Sequence, residues 1–438
     1  MPPPPTAAAE PECHATDAVA DLRRFPSAAR VEATTFGRPF WLTYGANFLL
    51  MVAVSLLYRY GDFVNYLGGD EVNLGWIIAV GMVGSLAMRL GQGVGIDAYG
   101  PRKIWLVSSL MFIFACVAHL WVSDVHGPLV YVLRIVYQSS LAGFFGASIT
   151  YISGRAPVAR IAEVVGTLGT SGFVGMVLGT RLGDLLLNFT KIDRGHVDRM
   201  FLAAALLGSA SFVLSWLATR GHEAPVRRKR LPMFRVLRRY HPGGILLIAI
   251  ATGFGLSLPG VFLSRYAAHL EIADIAPFFA IYCPTAFFAR VSMRSVPERF
   301  GIRPMIFVGM LAMVVGMLLF LVVRQPWQFV FPAVSVAIAH AALFPAVIAG
   351  GSGAFPARYR GLGTTMSLAF FDFGCLVGSP IVGEVIYWAE RFGWPGYPTM
   401  FVVVAGLLGS LGLIYGADER RKRLLPSSSV NEAMQPEA

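Results

Sequence analysis

Twelve long apolar runs dominate the 438-residue sequence and restrict its fold more than any other feature. A helix needs about 20 apolar residues to cross the hydrocarbon layer of a bilayer, and only helices and closed barrels satisfy their backbone hydrogen bonds there. We number the runs spans 1 to 12. They lie near 40–60, 72–92, 104–122, 127–153, 160–188, 199–219, 243–266, 274–293, 305–323, 327–353, 361–389 and 396–416. The sequence therefore predicts an all-α membrane protein with twelve transmembrane helices.

The charge distribution predicts the orientation of these spans. The net charge of +11 could indicate a nucleic-acid partner, but the basic residues are divided unequally between the loops. The side that contains both termini has 25 Lys and Arg residues, the opposite side has 5, and 6 lie inside or at the ends of the spans. Cytoplasmic loops of membrane proteins are enriched in basic residues. We therefore expect a multi-pass protein of the cell (inner) membrane with both termini in the cytoplasm, and no nucleic-acid partner.

The runs divide the chain into two halves. Residues 1–38 are proline-rich and contain no secretory signal, so they are expected to form a disordered cytoplasmic tail. A first bundle of six helices is predicted over 39–219, a basic cytoplasmic linker over 220–242, a second bundle of six over 243–416 and a further tail over 417–438. The four cysteines are isolated, so neither a disulfide, a metal site nor a cofactor is expected. A monomer in the lipid bilayer is the expected form.

A loop motif shows that the chain is internally duplicated. GVGIDAYGPRK begins at Gly93, between spans 2 and 3, and RSVPERFGIRP begins 201 residues later, between spans 8 and 9. In both copies an acid is followed after three residues by glycine and after two more by arginine. These residues are Asp97, Gly100 and Arg102 in the first copy and Glu298, Gly301 and Arg303 in the second. A charged, glycine-containing turn between two long apolar runs predicts a tight bend.

This loop resembles the G-x-x-x-D-R-x-G-R-R signature between helices 2 and 3 of the major facilitator superfamily, which has a degenerate second copy between helices 8 and 9. Ala98 replaces the usual arginine, whereas Arg299 keeps it in the second copy. The resemblance covers about residues 38–418. It implies two six-helix bundles that rock about a substrate site near the midplane, with the two loops acting in gating and Asp97 locking the outward-facing state. The implied gating residues are Gly93, Asp97, Gly100, Arg102, Lys103, Glu298, Arg299, Gly301 and Arg303.

A second repeat lies near the ends of spans 5 and 11. Gly183 and Asp184 in span 5 are repeated by Gly383 and Glu384 in span 11. The many glycines of span 5 resemble the helix 5 signature of proton-driven exporters in the same superfamily. The proline of that signature is missing from span 5, and Pro380 occurs only in span 11. The direction of transport is therefore left open.

Ionisable side chains inside the spans are the candidates for substrate binding and coupling, because a charge in the bilayer is costly unless it serves a function or is paired. Arg59 is placed to pair with Asp62 three residues later, with snorkelling of both to the membrane surface as the alternative. Arg134 is expected either to face a wet cavity or to pair with an acid on another span. Asp372, about midway along span 11, is expected to pair with an arginine or to exchange protons. The candidates are Arg59, Asp62, Arg134, Arg181, Asp184, Arg265 and Asp372.

Arginine outnumbers acid inside the spans, which favours an anionic solute. We therefore predict secondary active transport of a small, anionic organic molecule, by symport or antiport, with Asp372 as a possible site of proton coupling. Proton-driven efflux of amphiphilic compounds is one alternative, and a receptor or assembly protein that keeps the fold without transport is another. An enzyme is not expected, since no nucleophile elbow, metal cluster or phosphate loop is present and HLWVSD in span 3 fits an acyltransferase pattern only by coincidence.

Overall fold

The computed structural model describes residues 36–157, 160–187, 192–221, 236, 239–293, 295–356 and 359–424. The regular elements of these residues are helices. The helices are α1 Arg38–Leu56, α2 Tyr60–Tyr66, α3 Glu71–Ala118, α4 Pro128–Ser153, α5 Ile161–Leu187, α6 Arg194–Ala218, α7 Ile245–Val261, α8 Leu263–His269, α9 Ala276–Ser292, α10 Val296–Phe300, α11 Ile302–Leu319, α12 Val330–Gly353, α13 Arg360–Arg391 and α14 Gly396–Leu424. Short 3-10 turns extend several of them, including Leu57–Arg59 between α1 and α2.

The helices agree with the predicted apolar runs. Within the described residues, nine segments are long and apolar enough to cross a membrane, when the two arms of α3 are counted separately. The pair α7 and α8, bent by 51°, makes a tenth if it is one span. Spans 5 and 8 are also helical, as α5 and α9, but they do not meet that criterion, and α9 has only 17 residues. The predicted all-helical membrane fold is confirmed, while the number of twelve spans stays a prediction.

The two duplicated turns have the same backbone geometry. Gly100 bends α3 with φ 82° and ψ 157°, and Gly301 separates α10 from α11 with φ 76° and ψ 178°. Positive φ is accessible to glycine at little cost and to other residues only with strain. The internal repeat of the turn is therefore present in the structure as well as in the sequence. The surroundings of Gly93, Asp97 and Glu298 lie outside the part of the chain that the structure describes, so the gating roles of the two acids stay predictions.

Two aspartates begin helices at one end of the molecule. Asp70 accepts a hydrogen bond from the backbone N–H of Asn73 at 2.9 Å, at the start of α3. Asp193 does the same with His196 at 2.9 Å, at the start of α6, and this backbone hydrogen bond lowers the pKa of the Asp193 carboxyl. Each satisfies a backbone donor that the first turn of a helix leaves unpaired.

We call this end the distal face. It consists of the connections 67–70, 122–127, 192–193, 270–275, 323–325 and 392–395. The opposite, proximal face contains the turns at Gly100 and Gly301 and both ends of the described chain. At the proximal face Arg303 forms an ion pair with Glu419 of α14.

Helices pack mainly within two halves, which we define as residues 36–221 and 239–424. In the amino half, α1 packs against α5 and α6, and α3 packs against α4. In the carboxyl half, α7 packs against α13, and α11 packs against α12 and α14. The halves meet where α3 contacts α13 and where α5 contacts α9. A Cβ atom at Gly75 of α3 would lie 2.5 Å from the carbonyl oxygen of Ser379 in α13, so glycine permits this close approach of two helix backbones.

Candidate functional site

A buried charge cluster joins the halves at the distal face. Arg59 forms ion pairs with Asp62 at 2.5 Å and with Asp184 of α5 at 3.0 Å. Its Nη1 also donates to the carbonyl of Ala273 in the carboxyl half at 2.8 Å. The second oxygen of Asp184 accepts from the backbone N–H of Ala276 at 2.7 Å. Both Arg59 and Asp184 are buried, with 7% and 1% of their surfaces exposed.

The local fold explains why this cluster forms. The 3-10 turn Leu57–Arg59 interrupts span 1 just before α2, so Arg59 and Asp62 both face the interior. Ala276 is the first residue of α9, and the amino end of a helix carries partial positive charge and free N–H donors. The single arginine and this helix end together compensate the two carboxylates. The pairing of Arg59 with Asp62 predicted from their spacing is confirmed.

Further polar contacts join the halves beside this cluster. Glu71 accepts from Arg265 at 3.1 Å and from the hydroxyl of Tyr397 at 2.8 Å, which ties the start of α3 to α8 and α14. Arg181 of α5 lies 3.5 Å from Asp274. The indole N–H of Trp76 donates to Glu384 of α13 at 3.4 Å.

Deeper between the halves, Asp372 of α13 is bound by two side chains of α3. Ser85 donates to one carboxylate oxygen at 2.5 Å, Arg89 donates from Nε to the same oxygen, and Arg89 Nη2 donates to the other at 3.2 Å. Helical side chains lean toward the amino end of their helix, so Arg89 reaches from the proximal part of α3 toward the middle of the molecule. The expectation that Asp372 pairs with an arginine is confirmed.

A second arginine at the boundary between the halves contacts aromatic rings instead of an acid. Arg290 of α9 lies over the ring of Phe173 in α5 at 5.4 Å and over Phe344 of α12 at 5.9 Å. These distances are within the range of cation–π attraction. Beside it, the hydroxyl of Tyr282 and Nδ1 of His340 are 2.5 Å apart, and their rings are stacked with centroids at 5.9 Å.

Arg134 has a different environment from either one that the sequence predicted. It is 7% exposed and lies inside the amino half, 4.3 Å from the ring centroid of Tyr60 and 4.6 Å from that of Tyr137. Its Nε has no hydrogen-bond partner in the described residues. The expected ion pair with Asp62, Asp184 or Asp372 is not formed, because those acids are bound by Arg59 and Arg89.

These contacts close one side of the boundary between the halves. The crossing ion pairs and hydrogen bonds described above lie between the distal face and the level of Asp372. Transporters built from two repeats have their substrate and coupling-ion sites at the interface of the repeats, near the middle of the bilayer.

Comparison with known proteins identifies the family of the chain. The family model described as Major Facilitator Superfamily matches residues 40–295, more than half of the chain. The chain belongs to the major facilitator superfamily. The predicted resemblance is therefore confirmed, and the protein is a multi-pass membrane transporter rather than an enzyme.

Members of the superfamily with curated sequences align over most of the chain. An uncharacterised MFS-type transporter of Pseudomonas aeruginosa is 26% identical over 389 residues, which cover 85% of this chain and 91% of the relative. The MFS-type transporter YhhS of Salmonella typhimurium is 23% identical over 396 residues, with coverage of 88% and 92%. The multidrug resistance protein MdtG of Salmonella paratyphi A is 23% identical over 374 residues, with coverage of 76% and 90%.

Solved structures of the superfamily share the fold. The nucleoside transporter NupG superimposes with a TM-score of 0.69 at 14% identity, over 87% of this chain and 98% of its own. A D-xylose-proton symporter superimposes with a TM-score of 0.68 at 15% identity, over 85% and 96%. At these identities the likeness shows the fold alone.

Two arginines of the boundary, Arg89 and Arg290, were not among the candidates chosen from the sequence. Both belong to the six basic residues that lie inside or at the ends of the spans, and the cost of a charge in a bilayer is the signal that the sequence offers for them. A contact with a helix of the other half leaves no mark in the local sequence, so neither arginine is distinguished there from the other basic residues of the spans.

Proposed function

We propose that this member of the superfamily is a secondary active transporter of a small organic anion that works by alternating access. The supporting observation is the distal cluster, in which Arg59 and Asp184 of the amino half bind Ala273 and Ala276 of the carboxyl half. These contacts must separate when the distal face opens. The described conformation then corresponds to the state in which the distal side of the site is closed.

The anionic solute follows from the balance of charge along the spans. Arg59, Arg89, Arg181 and Arg265 each have a carboxylate within the ion-pair distance. Among the described residues, Arg134 and Arg290 have none. Arg134 is enclosed within the amino half, so within the described part of the chain Arg290 is the uncompensated cation at the boundary. Low-dielectric walls strengthen the field of an uncompensated cation, so an anion gains more than a neutral or cationic solute by entering.

The orientation is part of the same proposal. The excess of basic residues in the loops of the proximal face favours a cytoplasmic position for that face and for both termini. Because the distal face is closed and the proximal face is placed in the cytoplasm, the described conformation of the twelve spans in two six-helix bundles is inward-facing. Asp372 offers a place for proton coupling, because protonating its carboxylate would release the ion pair with Arg89 that joins the halves.

Flux through purified protein tests the proposal. Proteoliposomes preloaded with a panel of unlabelled organic anions, organic cations and neutral solutes should accumulate only the matching radiolabelled anions by counterflow. Repeating the assay with an imposed pH gradient tests proton coupling. Binding of an anion without counterflow would instead support a receptor that keeps the fold without transport.

Efflux of amphiphilic compounds is the second candidate. It is favoured by the rings of Phe173, Tyr282 and Phe344 at the boundary and by the similarity to a relative named as a multidrug resistance protein. The same assay separates the two candidates. Transport of lipophilic cations driven by the imposed pH gradient, with no response to anions, would replace the anion proposal by efflux.

A further inference from the structure

The internal repeat relates the two arginines at the boundary. Arg89 and Arg290 are 201 residues apart, the same separation as between the turn glycines Gly100 and Gly301. Each lies near the proximal end of the second predicted span of its half and contacts a helix of the other half. They therefore occupy equivalent positions in the two copies.

Their partners are not equivalent. Arg89 binds the carboxylate of Asp372 in span 11, whereas Arg290 faces Phe173 in span 5. Spans 5 and 11 are themselves repeats, because Gly183 and Asp184 recur 200 residues later as Gly383 and Glu384. Upstream of a one-residue insertion, Gly179 and Gly378 are 199 residues apart, and at that separation Asp372 corresponds to Phe173. One copy thus supplies an acid to its arginine, and the other supplies an aromatic ring.

Arg290 is left with unused hydrogen-bonding capacity. Its Nε is buried and has no hydrogen-bond partner in the described residues, and no carboxylate there lies within ion-pair distance. A ring over the guanidinium covers its face, while the N–H donors point outward in its plane. A carboxylate accepts two such bonds side by side, which is the pairing that Asp372 gives to Arg89.

We propose that Arg290 binds the carboxylate of an aromatic organic anion, which takes the place of the acid missing from span 5. This assignment rests on the transport function proposed above and specifies its substrate class. Phe173 and Phe344 flank the aromatic body of the ligand, since aromatic pairs in edge or offset contact are favourable beyond the area that they bury.

The neighbouring polar pair completes the site. Tyr282 and His340 share a hydrogen bond through Nδ1 of the histidine, so Nε2 is available for a second partner on the ligand. Phe173 comes from the amino half, and the other four residues come from the carboxyl half. A ligand between them would contact both halves, as an alternating-access site requires.

Binding of defined probes to the full-length protein in lipid nanodiscs tests the assignment. The probes are benzoate, phenylacetate and indole-3-acetate, with cyclohexanecarboxylate as the non-aromatic anion and benzylamine as the aromatic cation. Titration calorimetry should give the lowest Kd for an aromatic carboxylate. Arg290→Gln should raise that Kd more than tenfold, Arg290→Lys should raise it less, and the exposed-site control Arg199→Gln should leave it unchanged.

A second variant tests the same site in case Arg290→Gln does not fold. Phe344→Leu keeps the charge and should reduce the preference for benzoate over cyclohexanecarboxylate, with carboxylate binding retained. The assignment is overturned if no aromatic carboxylate binds at millimolar concentration, if benzylamine binds best, or if Arg290→Gln binds as the parent does. Counterflow of the same probes separates the two proposals: Arg290-dependent binding without counterflow supports the site and refutes transport, and Arg290-independent counterflow of another anion does the reverse.

Discussion

Replacing Asp184 by asparagine should open the distal face. The substitution keeps the shape of the side chain but removes its charge and one of its two acceptor oxygens. Asp184 receives Arg59 Nη1 on one oxygen and the N–H of Ala276 on the other. In the variant one of these donors must face the amide NH₂ group, so at least one hydrogen bond is lost.

The expected size of the effect follows from these contacts. A hydrogen bond to a charged group contributes about 1.5–3 kcal/mol, and each 1.4 kcal/mol changes an equilibrium constant about tenfold. The bond to Ala276 joins the two halves and in the variant is either lost or deprived of its charged acceptor, so the closed conformation is weakened relative to the open one. The ratio of distally open to distally closed molecules should rise roughly ten- to hundredfold.

Cysteine accessibility measures this ratio. Ser264 of α8 is 3% exposed and faces Gly61 of α2 across the boundary, where a Cβ on that glycine would lie 3.0 Å from its hydroxyl. In a cysteine-free background, Ser264→Cys should react slowly with a membrane-impermeant maleimide added at the distal side. Adding Asp184→Asn should accelerate the reaction by the factor given above.

The control makes the same chemical change where it cannot affect closure. Asp198 pairs with Arg194 at 2.9 Å within α6, inside one half. Asp198→Asn should leave the labelling rate unchanged. The reasoning is refuted if Asp184→Asn does not accelerate labelling of the cysteine at 264, or if Asp198→Asn accelerates it equally.

Three further predictions follow from other parts of the molecule. Asp372→Asn removes the acid from Arg89, which is partly buried, and should lower the free energy of unfolding by about 1.5–3 kcal/mol in chemical denaturation. Arg89→Gln added to it should restore stability, and a double variant no more stable than Asp372→Asn would contradict the pairing. Asp97→Asn should slow counterflow with ligand affinity retained, and an unchanged turnover would mean that the loop only connects two spans. Single cysteines in the amino tail, in 220–242 and in the carboxyl tail should be labelled only from the cytoplasm, and labelling of the linker in intact cells would refute the predicted orientation.

The sequence predicts local features of this protein well. Apolar runs locate the helices because a spanning helix has a fixed minimum length. Gly100 and Gly301 are found from their motif, since a tight bend between spans needs a backbone that few residues adopt. Arg59 and Asp62 are paired correctly because three residues along a helical stretch place them together.

Contacts between helices are not predictable in the same way. Asp184 pairs with Arg59, 125 residues away, and with a backbone N–H at the start of α9. Arg134 is enclosed by tyrosine rings, which no charge count reveals. Such partners depend on the rotation and depth of each helix, and several acids were equally available to each arginine in the sequence.

The arrangement of the distal cluster explains how the distal face can open without leaving a charge of the cluster unpaired. Arg59, Asp62 and Asp184 all belong to the amino half, so their ion pairs can persist when the halves separate. The bonds lost at this cluster are those to the backbone of Ala273 and Ala276, whose polar groups can then be hydrated. An uncompensated buried charge costs far more than an exposed backbone group. The cluster can therefore favour closure while keeping the cost of opening small enough for repeated turnover.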